Sequence, residues 1–418
     1  MSRTLVAALC WAAGLSGAAR AAPAQEPVRR VSLDEAVALF ARNNLEFRIA
    51  RAKAVGDVAR VRQAAAYPNP VAGATHETLS GGGAGYDETY VLLSQQLRWP
   101  WKGAARGRAA AAEREAGAHR VAGDSLRLAF EVKQAFVDAA SAERLRDGLE
   151  DATGLVREAL EDAAHRVTEG DLSGYALRRL RVERARYESE LSAAMLAMNA
   201  ARRRLAGLVL PDSATVMAPA GLPAGDPPAV APISPSVLAT RVPALAAARA
   251  ALEGARAREQ AVSRGRIPAP AVTGGYKSQS DGLTGVFLGF ALPLPLFDRR
   301  GAAASEAGAA LAGAEAYLAL VRRQAENDVR LAFDVYQAAR ERASLFAGEL
   351  LAEPEALLRV ARAAYAEGEM TLVELLDAVD AFRTARVAAV SAHRDLWVSY
   401  FDFERAAGGL PAGPEGDR

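Results

Sequence analysis

The stretch Glu169-Gly170-Asp171-Leu172-Ser173, with the segment that runs from it to Leu208, decides how this chain folds. Glycine permits a tight reversal. Beyond it, Leu177, Leu180, Arg184, Tyr187, Leu191, Ala194, Met198, Ala201, Leu205 and Leu208 recur at alternating steps of three and four. That spacing keeps one apolar seam facing a partner helix, with Arg184 as the lone exception. Upstream, Leu145, Leu149, Ala152, Val156, Leu160, Ala163 and Val167 carry the matching seam. The design returns in the second half as Glu367-Gly368-Glu369-Met370-Thr371. Leu372, Leu375, Val379, Phe382, Arg386, Ala389, His393, Trp397 and Tyr400 follow at the same steps. The chain therefore reads as an internal two-fold repeat of one long helical hairpin.

Composition fits that reading. Apolar residues make up 51% of the 418 positions, aromatics only 6%, and much of the apolar share is alanine, which suits long, closely packed helices. The 51 basic and 50 acidic residues nearly cancel, leaving no electrostatic case for nucleic acid. Arg3, the apolar run from Thr4 to Gly17 and Ala19-Arg20-Ala21 read as a cleaved signal peptide over 1–21. The single cysteine, Cys10, falls inside it, behind Leu9 rather than a small residue, so lipidation is rejected and the mature chain has no thiol chemistry. No later run reaches about 18 consecutive apolar residues, so a membrane could be crossed only as β-structure.

Taken in order, the mature chain opens on an exposed lead, Val28 to Arg30. Ser32 and Glu35 form a capping-box pattern, and helix resumes after Asn43-Asn44 to about Ala66, where Tyr67-Pro68-Asn69-Pro70 stops it. From Val71 to Leu79 and Tyr86 to Arg98 the period shifts, around a glycine-rich connection, to that of a β-hairpin. Each arm approaches the roughly 9–11 residues of a tilted membrane strand. Trp99 and Trp101 stand at its end, either as interface aromatics or as cover for the strand–helix junction. From Gly103 to around Arg166 the pattern is helical, a rod of about 90 Å at ~1.5 Å per residue. Residues 211–235 read as a connector without period. The second unit, 236–407, repeats the order: helix to Arg266, Ile267-Pro268-Ala269-Pro270, and a hairpin over 271–294. Val286, Leu288, Phe290, Leu292 and Leu294 fall on one face of its second arm. A long helix follows from Gly301 to about Leu351, perturbed at Glu353-Pro354, and 408–418 form a mobile tail.

This order of elements resembles the TolC family of outer-membrane efflux proteins over nearly the whole mature chain. The residues that carry it are Ser32-Leu33-Asp34-Glu35-Ala36-Val37, Tyr67-Pro68-Asn69-Pro70 and Gln95-Gln96-Leu97-Arg98-Trp99-Pro100 leading to Gly103. In the second unit they are Leu292-Pro293-Leu294-Pro295-Leu296-Phe297-Asp298-Arg299, and Tyr365-Ala366-Glu367-Gly368 leading to Leu375-Leu376-Asp377-Ala378. The Pro-Leu-Phe-Asp-Arg and Tyr-Pro-Asn-Pro segments look most like the CzcC-like, heavy-metal branch. The resemblance implies a mainly α fold with a small β part. Helical hairpins would build an α-barrel, and three subunits would each give two β-hairpins to a shared transmembrane β-barrel. It implies a homotrimeric exit duct in the outer membrane, extending into the periplasm, working with a periplasmic adaptor and an inner-membrane pump such as one of the resistance-nodulation-division type.

By the same resemblance, the periplasmic tips that meet the adaptor are Gly170, Leu172 and Ser173 in one unit and Gly368, Met370 and Thr371 in the other. The reading from the residues alone is that Leu172 and Met370 simply start the helix core. Tyr365, Glu374 and Asp377 match the tunnel constriction. Glu374 and Asp377 sit one helical turn apart, and in three copies would form acidic rings that favour cations. A solvated helix face is the plain alternative. Met370 and Ala176 stand where the best-known relative has an arginine and its acidic partner, so the closing contacts differ here. His76, His119, His165 and His393 are scattered, without paired metal spacing, and no phosphate-binding loop occurs. No catalytic, cofactor or metal site is expected. The rival reading is a soluble periplasmic coiled-coil adaptor or structural protein.

Overall fold

The structure, a computed structural model, describes residues 28–81, 84–210, 215–346 and 353–409. Residues 1–21, read above as a signal peptide and containing Cys10, and all of the tail beyond Gly409 lie outside the described residues. The fold is dominated by helix α3, Pro100–Glu169, whose 70 residues make a rod of roughly 105 Å. It starts three residues earlier than the periodicity suggests, because Pro100 at its first position carries no N–H and has its φ preset for helix. Helix α4, Gly174–Val209, returns along it.

The sequence signals upstream hold closely. Helix α1, Leu33–Asn43, begins at Ser32 with both halves of the Ser32–Glu35 capping box formed. Asn44 then caps helix α2, Leu45–Ala65, by accepting from the Phe47 amide, while its own amide donates to Leu208 O at 2.9 Å. Helix α2 packs on α3 and ends at the Tyr-Pro-Asn-Pro stop.

Three segments depart from expectation. The lead Val28 to Arg30 is exposed as expected, but with the buried Val31 it forms strand β1, Val28–Val31. It pairs in parallel with β4, Val216–Pro219, inside what reads as an aperiodic connector. Four-residue strands are too short to display a period, and their partners lie far apart in the chain. Met217 and Val31 are buried there against Phe40, Phe136 and Phe401. The helix expected from 236 to 266 is two, α5 (Pro235–Arg241) and α6 (Pro243–Arg264), because Pro243 disfavours helical backbone at Val242. Helix α6 packs against both α3 and α7, Gly301–Ser344. The long second-half helix is likewise not one perturbed rod. Helix α7 ends at Ser344, and α8, Glu353–Glu367, starts afresh with Pro354 in its first turn, where a missing N–H is tolerated. Helix α9, Leu372–Ala406, closes the chain, with Gly408 and Gly409 at positive φ behind it.

Strands β2 (Val71–Gly81), β3 (Ala84–Gln96), β5 (Ala271–Gln279) and β6 (Thr284–Ala291) form a separate antiparallel sheet in the order β2-β3-β5-β6. The two hairpins thus join edge to edge through β3 and β5. Strand β6 ends at Ala291, so Leu292 and Leu294 lie beyond the ladder rather than on its apolar face. Gly275 is required where β3 passes: a Cβ there would fall 2.3 Å from Val91 O.

Candidate functional site

The two tips are built by one local chemistry. Gly170 and Gly368 sit at φ 89° and 79°, a left-handed conformation that glycine adopts without a Cβ clash. In the first turn the amides of Asp171 and Leu172 both donate to Arg166 O, at 2.9 and 3.2 Å. In the second, Glu369 and Met370 donate to Ala364 O at 2.9 and 3.1 Å. Ser173 then caps α4 through the Ala176 amide, and Thr371 caps α9 through the Glu374 amide.

Side chains of the tips divide into two sets. Leu172 and Met370 turn back and pack on the core beneath, together with Ala176 and Leu177. Gly170, Asp171, Ser173, Gly368, Glu369 and Thr371 are exposed. Tyr175 and Val373, two residues past each cap, are 76% and 46% exposed, so each tip presents one apolar side chain that the seam analysis passes over. The available signal was their place: the second helical residue after a cap points away from the seam starting at the first or fourth.

Beneath the tips, α3, α4, α8 and α9 share one core that includes Val156, Leu180, Tyr187, Leu375, Val379 and Phe382. Tyr365, expected at a constriction, belongs to this core at 6% exposure, with the Arg166 guanidinium 5.8 Å above its ring. Burial, with Asp162 nearby, pushes its phenol up from the ordinary value against the opposing effect of Arg166. Glu374 and Asp377 are exposed on α9, so Tyr365 does not share their surface. Glu374 completes a capping box: its Oε2 accepts from the Thr371 amide at 2.8 Å and hydroxyl at 2.7 Å. Those two bonds hold its carboxyl below the usual range. Arg184, alone on the α4 seam, points outward and meets Glu188 at 3.8 Å. His393 of the α9 seam lies 3.3 Å from Pro223 O, an interface contact rather than a ligand. One feature is illegible in sequence. Arg186 from α4 and Arg383 from α9 converge on Asp380, at 3.1 and 2.9 Å, tying the two hairpins together. Only the Asp380–Arg383 half has local spacing.

At the opposite end, the sheet has two unlike faces. Register puts Ala72, Leu93, Gly274 and Leu288 in one row, and Ala74, Val91, Tyr276 and Val286 in the next. The large residues of this face are exposed, Leu288 at 80%. The other face carries Glu88, whose carboxylate meets Lys277 at 2.8 Å and accepts from Tyr86, Tyr90 and Gln279. An exposed apolar face backed by a face that carries an ion pair is not what an isolated sheet in water would arrange. At the sheet's base Trp99 and Trp101 stack at 5.1 Å. The Trp99 indole donates to Pro268 O at 2.9 Å, covering the junction, while Trp101 in the first turn of α3 is exposed.

Among the described residues no helix is long and apolar enough to cross a membrane, which leaves the sheet untouched by that criterion, and no cluster of side chains is arranged to hold a metal ion. The model of the outer membrane efflux protein family matches residues 235–409. Over those residues, the second half of the chain, the sequence matches the outer membrane efflux protein family. No curated protein matches it in sequence. Its fold is that of solved outer-membrane channels. It is similar to CusC, with 18% identity, TM-score 0.76, and 91% of this chain and 92% of that one covered. VceC of Vibrio cholerae gives 19%, 0.72, and 90% and 96%. The open MtrE channel of Neisseria gonorrhoeae gives 20%, 0.72, and 90% and 89%. At these identities the structural likeness establishes fold alone.

Proposed function

We propose that this chain is the passive exit duct of a tripartite efflux system, assembled as a homotrimer in the outer membrane. The observation that carries the reading is the four-stranded sheet: an exposed apolar face, a polar face, and unpaired edges at β2 and β6. Open edges are not tolerated in lipid, so strands from further copies must close them, and three copies are what the family resemblance implies. In this reading the helices extend into the periplasm as a tunnel. Gly170, Leu172, Ser173, Gly368, Met370 and Thr371 build the tips that meet a periplasmic adaptor, with Tyr175 and Val373 as the outward apolar contacts. The partner pump, of which the resistance-nodulation-division type is one class, supplies the energy.

Glu374 and Asp377 line the constriction, with Tyr365 fixing α8 behind them. Rings of these carboxylates favour cations, and heavy-metal cations are the cargo that the CzcC-like segments suggest. In planar bilayers the purified protein conducts with a cation preference, and Glu374→Gln with Asp377→Asn lowers that preference; unchanged selectivity removes the constriction role. Recovery as a single water-soluble subunit from the periplasmic fraction, without detergent, supports the rival coiled-coil adaptor and overturns the duct.

A further inference from the structure

Where the sheet meets the helices, a cavity of about 1080 Å³ opens between the start of α3, the end of α6 and the segment that precedes α7. Arg98, Lys102 and Arg106 enter it from the first half of the chain, and Arg258, Arg266, Arg299 and Arg300 from the second. Three carboxylates face these seven cations: Glu113, Asp298 and Glu306. Glu113 is engaged by Arg258, and Asp298 Oδ1 accepts the Arg300 amide at 2.7 Å. Among the described residues, no ion pair joins Lys102, Arg106, Arg266, Arg299 or Arg300 to a carboxylate.

The positive charge is held in place rather than left on free side chains. Lys102 is nine-tenths buried and its Nζ donates to Ile267 O. Burial first, then neighbouring cations, depress both Lys102 and Arg106 below their ordinary values, so the local field lacks counter-charge. Arg300 takes a left-handed φ of 58°, unusual for a residue with a Cβ. Its guanidinium reaches the end of α6, where a methyl on Gly265 would fall 2.7 Å from Nη1. The sheet side of the same cavity is apolar, lined by Leu97, Ile267, Pro268, Pro293 and Leu294. Exposed Trp101, Leu296 and Phe297 stand nearby in sequence, beside the strand ends.

A cationic floor facing the helices and an apolar wall facing the sheet match a phosphate group with hydrocarbon attached to one side. We propose that this cavity binds the phosphate headgroup of an anionic membrane lipid at the boundary between the sheet and the periplasmic helices. The lipid would supply the missing counter-charge and fix the height of the sheet in its bilayer. This rests on reading the sheet as membrane-embedded.

The test uses the delipidated full-length protein in detergent, titrated by native mass spectrometry with phosphatidylglycerol and with phosphatidylcholine of the same acyl chains. Wild type favours phosphatidylglycerol by at least about tenfold, and Arg106→Gln/Arg266→Gln/Arg299→Gln abolishes the preference. Arg299→Gln alone, in an exposed segment outside any helix, lowers it by about threefold and serves if the triple variant misfolds. Equal binding of the two lipids, or a preference unchanged in the variants, overturns the proposal. Displacement of phosphatidylglycerol by inorganic phosphate at similar concentration assigns the site to a free anion and overturns the lipid assignment. Conductance in bilayers is read separately. A wild type that conducts but shows no lipid preference refutes this inference alone, whereas one that neither inserts nor conducts refutes the duct.

Discussion

The two tips have the same backbone and different chemistry. Each ends its first helix on a left-handed glycine, returns two amides to one carbonyl, and starts its second helix on a hydroxyl cap. Past the first cap come Tyr175, Arg178, Arg179 and Arg181, all but Arg179 exposed; past the second come Val373, Glu374 and Asp377. Both turns carry exposed acids, Glu169 and Asp171 in one and Glu367 and Glu369 in the other, but past the caps one helix start is basic and the other acidic, on a common frame. Backbone geometry follows from a few obligatory residues, while the surface offered to a partner is left free to diverge. Only the second tip has a carboxylate in its cap, since Ala176 stands where Glu374 stands.

The largest perturbation should affect both tips together. Phe382 is buried in the core shared by all four tip helices, and Phe382→Ala should cost about 3–5 kcal/mol. Limited proteolysis should then show faster cleavage at both turns; a response confined to the second would mean the hairpins are not coupled through this core. Next, Gly170→Ala and Gly368→Ala each put a Cβ on left-handed backbone, at about 1–2 kcal/mol apiece. Similar shifts in denaturant midpoint are expected, and clearly unequal ones would break the equivalence of the two turns.

A finer contrast lies in the caps. Both Ser173→Ala and Thr371→Ala should lose about 1 kcal/mol, with Thr371→Ala the more costly because it also frees Glu374. The smallest effect is specific to the second tip. The Glu374 carboxyl is held below its ordinary value when folded, so its contribution is complete above that ordinary value and is lost as pH falls through the lower folded value. Exchange of the Thr371 amide should therefore accelerate on acidification relative to its intrinsic rate, while the Ser173 amide shows no matching transition. A parallel transition at both would remove the distinction drawn from the capping box.

Several parts of the molecule were legible because their causes are local. Gly170, Gly368, Ser32 with Glu35, Asn44 and Pro70 each act within a few residues, and the strand and helix periods are carried by neighbouring side chains. Burial at the seams was legible in part. Leu180, Tyr187, Met198 and Leu205 are buried as their spacing requires, while Ala194 is only half-buried because α4 leaves its core midway. The family resemblance grouped Tyr365 with Glu374 and Asp377 at one constriction, yet Tyr365 turns into the core and the two carboxylates do not.

By itself, then, the sequence determined where the chain turns, where helix gives way to strand, and that one face of β6 is apolar, since each rests on a single residue's backbone freedom or on a short period. Only the tertiary structure decided the β1–β4 pairing, the meeting of Arg186 and Arg383 on Asp380, and the convergence of cations from both halves beneath the sheet. Those features join residues distant along the chain. Which of them come together is set by how the helices pack on α3, and no local spacing encodes that choice.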